Sequence, residues 1–298
     1  MTRRQICAYI TLCIIWGSTW AAIRTAVQQV PPMRLAAVRF LAAGLLMLPI
    51  ASLRKMTLPR GRALQATLWL GLFFVGLQYA LVFCAAQFLS SGLTAILYAC
   101  SPLVVGLATP AMLKKPVPRA AMTAMLVGVG GLALLLRSIL QTSAAQFAPA
   151  LVMLAAMAIS SSGSVYASRE LKNVSAFAAT ALQFLVGGAA LAVLSAIFER
   201  HAAAQWSPSA IGSLAFLIIF SSMIGFSIYF WLLQRVEPYR VLTVQFLVPI
   251  LAVVEGTILL REAIPWLELC GGLAVLSAVF LVLRVPSDDD SYHKITPR

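Results

Sequence analysis

Charge is scarce in this sequence. Only 10% of its 298 residues are charged, 22 of them basic and nine acidic. Soluble domains carry about 25% charged and about 45–50% apolar residues, whereas this chain is 61% hydrophobic with a mean hydropathy of +0.93. A soluble enzyme, a disordered chain and a peripheral membrane protein are thereby excluded. Histidine is nearly absent, with His201 in a loop and His293 in the tail. The cysteines Cys7, Cys13, Cys84, Cys100 and Cys270 form no Cys-x-x-Cys pair, so neither a zinc site nor a disulfide framework is expected. No Walker A sequence supports ATP-driven pumping, and no Gly-Tyr-Gly filter suggests a potassium channel. No Asp lies in an apolar run, and no Ser-His or paired-Asp arrangement suggests intramembrane hydrolysis. No cofactor is expected. The net charge of +13 does not imply nucleic-acid binding, because the basic residues sit in short clusters between apolar runs, where membrane topology places them.

What is present is a succession of long apolar runs. A membrane helix needs about 20 mostly apolar residues, and a β-barrel would instead show short alternating segments. Ten spans are expected, at 6–24, 33–53, 65–88, 92–113, 119–137, 148–168, 174–197, 209–232, 239–260 and 264–284. The first follows Met1-Thr2-Arg3-Arg4 without a persuasive cleavage site, so it reads as a retained span rather than a signal peptide. With the N-terminus inside, sixteen Lys and Arg fall on the inner side and six on the outer, which places both termini in the cytoplasm. The stretch 287–298 reads as a flexible cytoplasmic tail.

The chain also resembles itself. At an offset of 147, Phe83 meets Phe230, Gln87 meets Gln234, Pro102 meets Pro249, and Pro118 meets Pro265. At 146, Gly17-Ser18 meets Gly163-Ser164 and Trp20 falls on Tyr166; at 144, Phe40-Leu41 meets Phe184-Leu185 and Gly44 meets Gly188. Residues 1–140 and 141–286 then form two five-helix repeats. Five is odd, so the second repeat enters the membrane in the opposite sense. Inverted repeats around a central cavity are an architecture of secondary transporters.

Ten spans, the 5+5 repeat, Trp16-Gly17-Ser18-Thr19-Trp20, Arg39-Phe40, Ser101-Pro102 and Lys114-Lys115 together resemble the drug/metabolite transporter superfamily, EamA type, over residues 6–284. Within it the chain is similar to bacterial inner-membrane amino-acid exporters, the aromatic amino-acid exporters included. The resemblance implies export of small metabolites without ATP hydrolysis. The last span departs from the pattern, with Ser277-Ala278 where a later glycine is expected.

Candidate site residues follow from polarity inside the apolar runs. Pro102 and Pro249 each remove a helical donor, exposing the carbonyls of Tyr98 and Gln245, themselves equivalent at the 147 offset. This marks either a midplane substrate site or packing kinks whose carbonyls neighbours satisfy. Trp16 and Trp20 share a helix face; with Ser18 and the repeat counterpart Tyr166 they form either an aromatic cavity wall or an interfacial belt. Tyr79 and Phe83 are either cavity lining or ordinary packing. Arg39 has three readings: snorkelling to the outer interface, pairing with Glu255 as a gate, or attracting a substrate carboxylate. Glu255 is also a candidate proton-coupling group, which makes protons a candidate partner. An uncharged pore suits a substrate that is zwitterionic overall, such as an amino acid, or one that is apolar with small polar ends. The bilayer is the other partner; the competing readings are an exporter of other small metabolites or drugs, an intramembrane enzyme and a non-transporting scaffold.

Overall fold

The computed structural model describes residues 1–86, 88, 97, 101–114, 117–135, 147–248, 250–251 and 266–285. Tyr98, Pro249, Glu255 and the side chain of Trp20, all expected site groups, lie outside the described residues.

The secondary structure of the described residues is all helical, with no strand among them. α1 (Arg3–Val27) opens with a capping box, in which the Thr2 hydroxyl accepts from the Gln5 N–H and the Gln5 side chain accepts from the Thr2 N–H. α2 (Pro32–Leu53) starts on a proline, whose missing N–H costs nothing in the first turn. Then come α3 (Arg62–Leu70), a π-helical segment π1 (Gly71–Leu77) and α4 (Gln78–Ala86), one continuous apolar rod. α5 (Ser101–Leu113), α6 (Arg119–Leu135) and α7 (Phe147–Glu170) follow. α8 (Ala176–Phe198) and α9 (Pro208–Phe216) are capped by the hydroxyls of Ser175 and Ser207. α9 continues as π2 (Leu217–Phe226) and α10 (Ser227–Leu233); the short α11 (Pro238–Val241) and α12 (Trp266–Arg284) complete the order.

Among the described residues, five stretches are long and apolar enough to cross a membrane: Pro32–Leu53, Arg62–Ala85, Phe147–Glu170, Ala176–Phe198 and Pro208–Leu233. Each begins or ends within a few residues of a span expected from the sequence. The outer surface agrees with that reading. Ile6, Ile10 and Ile14, one helical turn apart, are 46–58% exposed on α1, an apolar stripe that suits lipid rather than water.

Helix pairing follows the sequence offsets. α2 packs along α8, and α6 along α12; α1 packs along α9–π2–α10, and α7 along α3–π1–α4. The α2–α8 contact is reciprocal. A Cβ on Gly44 would stand 2.8 Å from Leu185 Cγ, and one on Gly188 would stand 2.9 Å from Leu41 Cγ. Gly44 and Gly188, like Leu41 and Leu185, coincide at the offset of 144. Phe40 and Phe184, also paired by that offset, pack with tilted rings whose centroids are 4.9 Å apart, and both are fully buried. The two π-helical segments correspond as well, because π1 shifted by 147 residues falls inside π2.

One end of the bundle is tied by polar contacts. The Glu199 carboxylate accepts from the backbone N–H groups of Met33 and Arg34, both at 2.8 Å, in the first turn of α2. An anion there satisfies orphan donors and the helix dipole together. Near the other end, Arg62 makes a two-point ion pair with Glu170 at 2.8 and 2.9 Å, and Gln234 Nε2 donates to the carbonyls of Leu171 and Val174.

Candidate functional site

A cavity of about 90 Å³ lies between the halves, lined by α1, α2, π1, α4, α7, π2 and α10 together with residues 245 and 248. Its walls are mostly aromatic: Trp16, Phe74, Tyr79, Phe83, Phe226 and Tyr229. Trp16 packs on Phe226 and Tyr229, with ring centroids 5.4 and 5.1 Å away. It approaches so closely because position 225 is glycine; a Cβ there would lie 2.8 Å from Trp16 Nε1. Phe226 also meets Phe40, Phe74, Phe184 and Phe230, which makes it the centre of the aromatic cluster. The polar lining comes from Thr19, Arg39, Gln78, Ser160, Ser221 and Gln245.

Arg39 is the charged group of this lining. It is 2% exposed, so the structure does not have it snorkelling to an interface. Its Nε donates to Ser222 Oγ and its Nη2 to Ser221 Oγ, both at 2.8 Å. The guanidinium also lies 4.9 Å from the Phe40 ring centroid and 5.9 Å from that of Tyr79. Among the described residues it forms no ion pair. The π-helical turn explains how two consecutive serines reach one guanidinium: i→i+5 bonding adds a residue to the turn and brings neighbouring side chains nearer to one face.

The two halves differ at this point. Arg39 corresponds to Gln183 at the offset of 144, and Ser221 and Ser222 correspond to Phe74 and Val75 at 147. The Arg and its two hydroxyls thus have a Gln and two apolar residues as their counterparts in sequence. Gln183 is fully buried, and both its Oε1 and Nε2 find no hydrogen-bond partner among the described residues. A buried amide in that condition costs about 1–3 kcal/mol. Gln183→Leu is therefore expected to raise the thermal unfolding temperature of the purified protein. A lower unfolding temperature would mean that the amide has a partner essential to this packing.

Of the expected site residues, Trp16, Arg39, Tyr79, Phe83 and Gln245 come together at the cavity. Ser18 does not join them, its hydroxyl bonding back to the Ile14 carbonyl at 3.2 Å. Nor does Tyr166, which lines a separate open groove with Trp69, Phe73 and Met112. The reason is angular: Ser18 stands two residues from Trp16, about 200° around an α-helix, and so on the opposite face. Pro102 is buried in α5 and is not among the described cavity walls. Sequence reasoning passed over Ser221, Ser222 and Thr19. A Ser-Ser pair in the middle of an apolar span was the available signal, since polar groups at membrane depth face protein or water. Tyr229 is fixed by a 2.5 Å hydrogen bond with Ser164, itself the counterpart of Ser18.

Two consecutive stretches, residues 3–137 and 148–284, each match the EamA-like transporter family. The chain belongs to that family. It is a membrane transporter, and the family points away from enzymatic activity, in agreement with the sequence expectation. It is 31% identical over 280 residues to the uncharacterized inner membrane transporter YedA of Escherichia coli K12, over 93% of this chain and 90% of that protein. It is 25% identical over 279 residues to the uncharacterized transporter YoaV of Bacillus subtilis, over 91% of this chain and 94% of that one. A solved crystal structure 18% identical in sequence superposes with a TM-score of 0.80, covering 95% of this chain and 98% of its own, a likeness of fold.

Proposed function

We propose that this EamA-family chain is a secondary transporter of the bacterial inner membrane that exports small metabolites, amino acids first among them, by alternating access. In this reading ten helices form two inverted five-helix repeats, residues 1–140 and 141–286, with both termini and the tail 287–298 in the cytoplasm. The doubled family match and the reciprocal Gly44–Leu185 and Gly188–Leu41 contacts support the repeat, since a two-fold axis makes each contact occur twice.

The observation that carries the reading is the cavity. It lies between the halves, mixes aromatic walls with a few convergent polar groups, and holds about 90 Å³. Drug-sized sites run to roughly 300–1,000 Å³, so the size favours a small metabolite over a drug. Substrate would rest against Trp16, Tyr79 and Phe83 and bond to Gln245 and Tyr98; in this reading Pro102 and Pro249 are the helix breaks that act as hinges, and Glu255 is the coupling group.

The test is flux in proteoliposomes loaded with labelled amino acids from alanine to tryptophan, without ATP, with the pH gradient varied separately. Saturable, protein-dependent flux of some members is expected. Gln245→Leu should cut that flux at least tenfold with normal expression; unchanged flux would remove the cavity from the pathway. A rate indifferent to the pH gradient would remove Glu255 as a coupling group.

A further inference from the structure

Arg39 is a positive charge sealed inside the bundle at the wall of the cavity. Both its described hydrogen bonds end on neutral hydroxyls, Ser221 and Ser222, and two aromatic rings flank it. None of the described cavity-lining residues is acidic. Among the described residues no anion neutralises this buried cation, and such a charge is expensive and marks a functional position inside a membrane. The geometry also shows which part of it is committed. Nε and Nη2 are held by the serines, which fixes the guanidinium plane, while Nη1 takes no part in either bond.

We propose that Arg39 anchors the carboxylate of the transported molecule, so that the substrates are small monocarboxylates with an apolar body. This rests on the transporter reading given above and specifies its substrate class. A guanidinium held rigid by two hydroxyls is pre-organised for a planar carboxylate. A bound monoanion balances the one charge of the described lining. A phosphate would bring close to two charges to one cation and would leave the aromatic walls without an apolar partner. Those walls, Trp16, Phe226 and Tyr229 among them, take the rest of the molecule by packing. The α-ammonium of an amino acid is not required by this site, whereas the carboxylate is.

The experiment compares three ligands that differ at one group: L-valine, 3-methylbutanoate, which lacks the amino group, and L-valinamide, which lacks the carboxylate. Each is titrated against the purified full chain in detergent with thermal unfolding as the readout, for the wild type, Arg39→Gln and Arg39→Lys. Both carboxylates should stabilise the wild type, and the amide should not. Arg39→Gln should weaken carboxylate affinity by roughly 30-fold or more, as loss of one member of a buried charge pair does. Arg39→Lys keeps the charge but loses the fork, and should fall between the two. The wild-type comparison of acid with amide needs no variant, so a misfolded Arg39→Gln leaves the test standing. Equal affinity for valine and valinamide overturns the anchor while saturable amino-acid flux would keep the transporter reading. Failure of both carboxylates to stabilise the wild type also overturns it, and absence of all amino-acid flux would then overturn the amino-acid reading as well.

Discussion

Phe226→Ala is expected to lower the stability of the folded bundle by about 3 kcal/mol and to abolish flux. The ring is 3% exposed and touches Trp16, Phe40, Phe74, Phe184, Tyr229 and Phe230, with centroid distances from 5.3 to 6.4 Å. Removing it leaves a hole that surrounding helices fill only in part. Phe→Ala changes in soluble cores cost about 3–5 kcal/mol. The low end applies here, because the unfolded helices hold the ring in lipid and what is lost is packing rather than transfer from water. The functional loss has the same origin: Trp16 and Tyr229 are aimed at the cavity by leaning on this ring. Chemical denaturation in detergent measures the first effect and proteoliposome flux the second. A variant that keeps both would show that Trp16 and Tyr229 are positioned by their other contacts.

Gly187→Val is expected to prevent accumulation of folded protein. A Cβ at this position would lie 2.4 Å from Val75 Cβ and 2.6 Å from the Gly71 carbonyl oxygen. The second of these is backbone, which cannot rotate away, so α8 and π1 would have to separate. Membrane helices associate through such close approach of small residues, without a hydrophobic force to compensate for a gap. Overpacking of side chains alone costs about 1–3 kcal/mol, and a backbone clash on the α8–π1 seam exceeds that range. Yield of monodisperse protein after detergent extraction is the measurement. Val75→Gly should partly restore Gly187→Ala by removing the nearer atom. Normal yield of the single valine variant would show that the seam is looser than these distances require.

Much of the fold was legible in the sequence because lipid imposes a simple rule. A backbone that crosses hydrocarbon must satisfy its own hydrogen bonds, so long apolar runs become helices. The runs around 33–53, 65–88, 148–168, 174–197 and 209–232 each coincide with a described helix. The offsets of 144 and 147 also named helix pairs that lie together, α2 with α8 and α6 with α12. The site was less legible. Trp16, Arg39, Tyr79, Phe83 and Gln245 were found because a polar or bulky side chain at membrane depth is conspicuous in an apolar run. Ser18 and Tyr166 were grouped with them by neighbourhood in sequence and by repeat equivalence, which do not specify the direction in which a side chain points.

By itself the sequence determined that the chain is a helical membrane protein, which segments are apolar enough to span, and where its halves repeat. Those properties follow from composition and periodicity summed over many residues, so local uncertainty averages out. The tertiary structure decided that Arg39 turns inward, that Ser221 and Ser222 hold it, and that Phe226 centres the cavity wall. Each depends on a rotation of one helix against another and on the wider turn of π2, neither of which hydropathy encodes. A shift of 100° around one helix would exchange a lipid-facing residue for a cavity-facing one without altering the pattern of apolar runs.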